Sequence, residues 1–359
     1  MPTYNFAAGP AVMPEPVINQ IQRELPSLGG SGMSITEISH RSAAFTDIIE
    51  RAEADLRALM DIPDDYAVLW MQGGGTGQFA AAPLNLAITH QRIALLDSGH
   101  WAVRAGDEAT SLGFKVDVVG STKADHYHTL PELAHPLTAD TYDYLHITTN
   151  NTIEGTAFHE LPATNGTTLV GDMSSNILAE RYNVRDFGLI FAGAQKNLGP
   201  AGVTIVIVRR DLVHQVSHLP SMLNYQLFMD KHSLYNTPPV FAIYACGLVL
   251  QWLREQGGVD EMERRNREKS GRLYDFLDES KLFYNPVAAN ARSLTNVPFM
   301  TGDADLDAQV IAACQAAGLM NLKGHRSVGG LRASLYNALP LAAVDALIDC
   351  LYHFEKGHA

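Results

Sequence analysis

Two charged residues 24 positions apart, Asp172 and Lys196, could do covalent chemistry together. Asp172 ends the apolar run TTLVGD, and Lys196 follows a second run inside GLIFAGAQKNLGPAG, residues 188–202. Side chains that leave the carboxyl ends of buried strands stand where α/β proteins bind ligands. Partial desolvation there favours the neutral amine, the form in which a lysine attacks a carbonyl to make an imine. The separation is that of one strand–crossover–strand unit, so both side chains can emerge from one sheet edge. An aldehyde-bearing pyridine cofactor needs this pair, a lysine for the imine and a carboxylate that keeps the ring nitrogen protonated. For Lys196 taken alone, a solvated lysine at a strand end is the plainer explanation.

Other residues offer binding rather than covalent chemistry. GGGTGQ, residues 73–78, follows one apolar run and opens a helical one, so its amides can cradle a phosphate. From Gly75 it also spells Gly-x-Gly-x-x-Ala, and Asp97 ends the next run 20 residues after Gly77, which fits a dinucleotide fingerprint equally well. Trp101, beyond Ser98-Gly99-His100, offers an indole to a flat ring, or simply fills a crevice. Thr152 can bond a ring hydroxyl or cap a turn. Two His-Arg dipeptides, His40-Arg41 and His325-Arg326, with Arg332 six residues beyond the latter, suit dianions because guanidinium groups bind phosphate and carboxylate bidentately. Cys246, Cys314 and Cys350 lie in apolar helical patterns and read as buried, inert thiols.

The elements that must position these residues follow from hydrophobic periodicity. Seven short β-rich runs lie between 66 and 208: 66–72, 92–97, 114–119, 142–149, 167–172, 188–193 and 203–208. Long helical crossovers separate the first few, a pattern that predicts an α/β fold with a largely parallel sheet. Ahead of them, Phe45, Ile48, Ile49, Ala52, Leu56 and Leu59 share one helix face. An apolar helix over about 238–256 meets Gly257-Gly258, then a charged helical stretch and a shorter α+β pattern. The expected division is a large domain over 16–257 and a small one over 258–359 joined by 1–15, the proline-bearing N-terminal segment reading as extended chain.

Composition narrows the function. The 359 residues carry 26 basic and 39 acidic side chains, a net charge of −13. That argues against a nucleic-acid partner, which needs a basic face. An anionic ligand would need cations clustered against the global field. The longest apolar stretch, Phe241 to Leu250, is too short to span a bilayer, and no basic residue precedes Arg23 as in a signal peptide. A cytoplasmic protein with no membrane partner is the expectation.

Taken together, the motifs resemble the phosphoserine aminotransferases, in the class V branch of the pyridoxal-phosphate aminotransferases. The resemblance runs nearly end to end through YNFAAGPAVMP, EISHRS, WMQGGGTGQF, DSGHWA, TTNNTIEGT, DMSSN, AGAQKNLGPAG, YNTPPVFAIY and GHRSVGGLRASLYNA. It implies fold type I, a mainly parallel seven-stranded sheet with a smaller C-terminal α+β domain, and pyridoxal 5'-phosphate as cofactor with no metal. By the resemblance Lys196 forms the imine and Asp172 meets the pyridinium nitrogen. Gly75, Thr76 and Gln195 hold the cofactor phosphate, with Asn236 and Thr237 reaching across from a second subunit of a homodimer. Trp101 stacks on the ring and Thr152 meets its hydroxyl. Arg332 takes the substrate α-carboxylate, while His40, Arg41, His325 and Arg326 receive the distal anion. Thr76 departs from the pattern, since some relatives carry arginine there. The implied reaction moves the amino group of L-glutamate to 3-phosphohydroxypyruvate, and the sequence leaves open whether the related 4-phosphohydroxythreonine, in pyridoxal-phosphate biosynthesis, is also used. An NAD-dependent oxidoreductase and a cofactor-binding protein without turnover are the competing functions.

Overall fold

The computed structural model describes residues 2–358. In chain order the elements begin with β1 (Tyr4–Asn5), α1 (Glu15–Glu24), α2 (Ala43–Met60), β2 (Tyr66–Met71), α3 (Gly74–Leu86), β3 (Arg92–Asp97), α4 (His100–Ser111) and β4 (Lys115–Ser121). They continue with β5 (Tyr144–Thr148), β6 (Leu169–Asp172), β7 (Leu189–Gly193), β8 (Thr204–Arg209), α5 (Tyr225–Asp230) and α6 (Val240–Glu255). The last are α7 (Gly258–Glu279), β9 (Asn296–Phe299), α8 (Ala304–Ala316), β10 (Leu319–Met320), β11 (Leu331–Ser334) and α9 (Leu341–His358).

All seven apolar runs become strands of one sheet, in the order β2-β8-β7-β6-β5-β3-β4. Only β8 opposes its neighbours, so the other six strands run the same way and end at one edge. Successive side chains of a strand point to opposite faces. Ile205 and Ile207 of β8 therefore join a core with α2 and α6, while Val206 and Val208 join a second core with α3 and α4. The chain steps outward from β3 to β4 and then returns to the other side of β3 for β5. That reversal is a topological switch point, where the carboxyl ends of strands border a crevice.

The helices obey local chemistry. Ser42 caps α2 by accepting the Phe45 amide, and Phe45, Ile49, Ala52, Leu56 and Leu59 form its buried face. Along α7 the ion pairs Arg264–Glu261, Arg265–Glu261, Arg267–Glu263 and Arg272–Glu268 occupy the wet side, while Met262, Leu273 and Leu277 are buried. A third core gathers residues of α7, α8, α9, β9 and β11 with Phe6. β1 pairs with β10 in parallel, which ties the N-terminus to this core.

One expectation fails at the N-terminus. The segment bearing Pro14 and Pro16 is not extended throughout, because α1 starts at Glu15 with Pro14 as its cap. A proline in the first helical turn loses no hydrogen bond, since that N–H has no intrahelical partner anyway. Among the described residues no helix is long and apolar enough to cross a membrane.

Candidate active site

β6 and β7 lie side by side, and Asp172 pairs in register with Phe191. Asp172 is therefore delivered to the carboxyl edge two residues before the end of β7, with Lys196 just beyond it. Both flank a cleft of about 430 Å³, whose wall also includes Gly75, Thr76, Trp101 and Gln195. The Lys196 ammonium donates to Thr152 Oγ1 at 2.8 Å. Arg332, on β11, donates through Nη1 to the Thr152 carbonyl at 3.1 Å. Thr152 thus joins the lysine to an arginine that arrives from the far end of the chain.

Burial sets the electrostatics. It pulls Lys196 down to about 8, helped by the Arg332 charge and opposed by Asp172. It pushes the Asp172 carboxyl up, opposed by Lys196 and by hydrogen bonds from Ser174. The Ser174 amide donates to Asp172 Oδ1 at 2.9 Å, and Ser174 Oγ accepts the Gly193 amide at 3.1 Å. The carboxylate is thereby fixed between two strand ends. Gly75 is pressed against the same spot, since a Cβ there would lie 3.2 Å from Ser174 Oγ. The first turn of α3 can approach the site only because it is glycine.

Trp101 lies in the first turn of α4, whose start is pinned by Glu154. That carboxylate accepts the His100 amide at 2.9 Å, and burial raises its pKa. A Cβ on Gly99 would come within 2.7 Å of Glu154 Oε2, so any larger residue there would displace the carboxylate that holds the start of α4. Trp101 Nε1, Thr148 Oγ1 and Arg332 Nε are buried without a hydrogen-bond partner. Three unpaired donors around one cleft, with a glycine-started helix at its edge, suit a planar ligand bearing a phosphate and a carboxylate-containing substrate. The residues present fit a pyridoxal phosphate cofactor.

The remaining residues divide into two groups. His325 stands 5.8 Å, ring to ring, from His100 and bonds Ser327 Oγ at 2.7 Å. Burial, then the nearby His100, Arg332 and Arg326, holds its pKa below the ordinary histidine value. Arg326 beside it is exposed. His40 and Arg41 precede α2, and Asn236 and Thr237 lie between α5 and α6. None of these four lines the cleft of its own chain.

The dinucleotide interpretation of Gly75 and Asp97 fails on topology. It requires β2 and β3 to be neighbours, but four strands separate them and Asp97 instead accepts from Ser121 Oγ at 2.7 Å. Sequence reasoning missed Ser174, Thr148 and Glu154. The strand-end rule that found Asp172 also marks Thr148, the last residue of β5. His146 lies mid-strand beneath the site, stacked on Phe191 and held to about 4 by burial; no local signal betrays it.

The family profile described as Aminotransferase class-V matches residues 3–347. A phosphoserine aminotransferase of Lactobacillus helveticus is 66% identical over 358 residues, covering 100% of this chain and 96% of that one. The solved structure of the phosphoserine aminotransferase from Bacillus circulans subsp. alkalophilus superposes with a TM-score of 0.97 at 43% identity, covering 100% of this chain and 99% of that one. A PLP-bound phosphoserine aminotransferase from Trichomonas vaginalis gives 0.91 at 34% identity, covering 98% and 100%.

Proposed function

This chain belongs to the class V aminotransferase family, and from that membership we propose that it transfers the amino group of L-glutamate to 3-phosphohydroxypyruvate. The products are O-phospho-L-serine and 2-oxoglutarate, and the reaction belongs to serine biosynthesis. The cofactor is pyridoxal 5'-phosphate. The observation that carries this function is the buried Asp172 beside the half-buried Lys196 in one cleft.

When bound, the cofactor supplies an electron sink for the bond broken at the substrate α-carbon. Asp172 would hold its ring nitrogen in the protonated state, Trp101 would cover the ring face, and Thr152 would meet the ring hydroxyl. Gly75, Thr76 and Gln195 would hold its phosphate, joined by Asn236 and Thr237 of the partner subunit in a homodimer. Lys196, already biased toward the free amine, takes the α-carbon proton as general base and returns it as general acid. Arg332 orients the α-carboxylate. His325 and Arg326, with His40 and Arg41 from the partner subunit, receive the distal phosphate or the glutamate side chain. A protein of net charge −13 repels such substrates at long range, so these local cations decide recognition.

The small domain would take 258–359 with 1–15, a reading supported by the third core and by the pairing of β1 with β10, and the protein works in the cytoplasm. The same site accepts 4-phosphohydroxythreonine, with its matching phosphate and amine, in pyridoxine biosynthesis. The test is the visible spectrum of the purified holoenzyme. Glutamate should bleach the band of the lysine-bound cofactor, and 3-phosphohydroxypyruvate should restore it. A spectrum indifferent to both compounds would defeat the proposal.

A further inference from the structure

Helix α7 carries a buried lysine that the reaction above does not use. Lys269 is 3% exposed and forms no ion pair among the described residues. Its ammonium donates to three backbone carbonyls, Leu335 at 2.9 Å, Tyr336 at 2.8 Å and Leu339 at 3.2 Å. Three N–H donors meet three acceptors, and no other side chain offers that set at one atom. Burial, and then the nearby Arg265 charge, pulls Lys269 down to about 7.

The turn held in this way leads back to the cleft. It leaves β11, the strand that carries Arg332. Within it the Asn337 amide donates to Asn197 Oδ1 at 3.0 Å, and Asn337 Nδ2 donates to the Leu178 carbonyl at 2.9 Å. Asn266, on the same side of α7 as Lys269, donates to Asn337 Oδ1 at 2.8 Å and to the Ala179 carbonyl at 2.9 Å. Asn197 is the residue after Lys196, and its own amide group is tied to the Ile177 carbonyl at 3.1 Å. A buried set of hydrogen bonds therefore runs from α7 through the 335–339 turn to the side chain of Asn197, the residue after Lys196.

We propose that Lys269 is a positioning residue, whose hydrogen bonds to three converging carbonyls shape the 335–339 turn and through Asn337 and Asn197 hold Lys196 in its working place. The claim rests on the assignment of Lys196 as the proton-moving residue. A lysine kept only for fold stability would also leave converging carbonyls unpaired when removed, but it would not alter the chemistry of molecules that remain folded.

The experiment compares wild-type holoenzyme with Lys269→Ala and Asn197→Ala. In folded Lys269→Ala, kcat for the glutamate half-reaction should fall by about tenfold to a hundredfold, the scale of a misplaced reacting group. KM for glutamate should stay nearly unchanged, and the pH midpoint of the visible cofactor band should shift. n-Propylammonium, which restores both a charge and three N–H donors, should recover kcat, whereas tetramethylammonium should not. An unchanged kcat and midpoint in folded Lys269→Ala would overturn the proposal. Should that variant fail to fold, Asn197→Ala decides, because it leaves the carbonyl cradle intact and cuts the link; wild-type kcat there also overturns it. A wild type that ignores glutamate would defeat the transaminase reading instead, and the midpoint, read without substrate, would still decide the role of Lys269.

Discussion

Asp172 is buried and Lys196 half-buried at one sheet edge, and their chemistry follows from what desolvation does to each. The folded lysine titrates near 8 against an ordinary value of 10.5, so between those values it is neutral while an unfolded chain's lysine is charged. Capture of pyridoxal phosphate by the cofactor-free protein should therefore accelerate with pH through a midpoint near 8. Stopped-flow absorbance checks this, and a midpoint near 10.5 would show that the amine is not desolvated. Lys196→Ala should still bind the cofactor but lose nearly all turnover and the borohydride-reducible bond. Asp172→Asn keeps the shape but removes the charge, so single-turnover proton transfer should slow by orders of magnitude while glutamate affinity moves less. Arg326→Ala should lower kcat/KM for 3-phosphohydroxypyruvate by about tenfold or more, as loss of one partner of a charge pair does, and that for hydroxypyruvate far less. Equal losses on both substrates would mean that Arg326 does not read the phosphate. The residue types that carry these arguments were visible in the chain itself. Ser174 and Glu154 were not, because a serine or glutamate that orients another group has no spacing of its own.

At the scale of elements, the β9–β11 pair decides how Arg332 meets the cleft. Asn296, at the start of β9, accepts from Asn150 Nδ2 at 2.9 Å and donates to Ser334 Oγ at 3.0 Å and Tyr336 OH at 3.2 Å. Asn150 also donates to Ser175 Oγ at 2.7 Å, in the wall of the cleft. All five side chains are buried, so each depends on the others for its hydrogen bonds. Asn296→Ala would strand several polar groups and should cost about 1–3 kcal/mol of stability, measurable as a lower urea midpoint. It should also raise KM for glutamate, since β11 pairs directly with β9. A variant with both quantities unchanged would show that the network does not locate Arg332. The strands that form the large sheet were legible from period and composition, but this short pair was not. Its two strands have four residues each, and Asn296 bonds an Asn150 that lies 146 positions away in the chain.

For the whole molecule, the question is what completes the site. His40, Arg41, Asn236 and Thr237 sit outside the cleft of their own chain. If they serve a second copy, the cofactor binds the dimer in preference to the monomer and must stabilise it by mass action. Sedimentation at low protein concentration should then show a tighter dimer with pyridoxal phosphate than without it. A monomer with full activity would remove these four residues from the site. The same assembly would gather extra cations around an anionic substrate that the overall charge repels.

The sheet was decided by local sequence, because a buried strand must be apolar over its whole length and a crossover must show the helical period. So was the pairing of Asp172 with Lys196, since one strand–crossover–strand unit sets their spacing wherever the unit is packed. The dinucleotide alternative also looked sound locally, and only the strand order removed it by separating β2 from β3. Tertiary structure alone brought Arg332 to Thr152, Asn296 to Asn150 and Lys269 to the 335–339 turn. These contacts join residues that no periodicity connects, and a buried polar group finds its partner by the geometry of closure rather than by position along the chain.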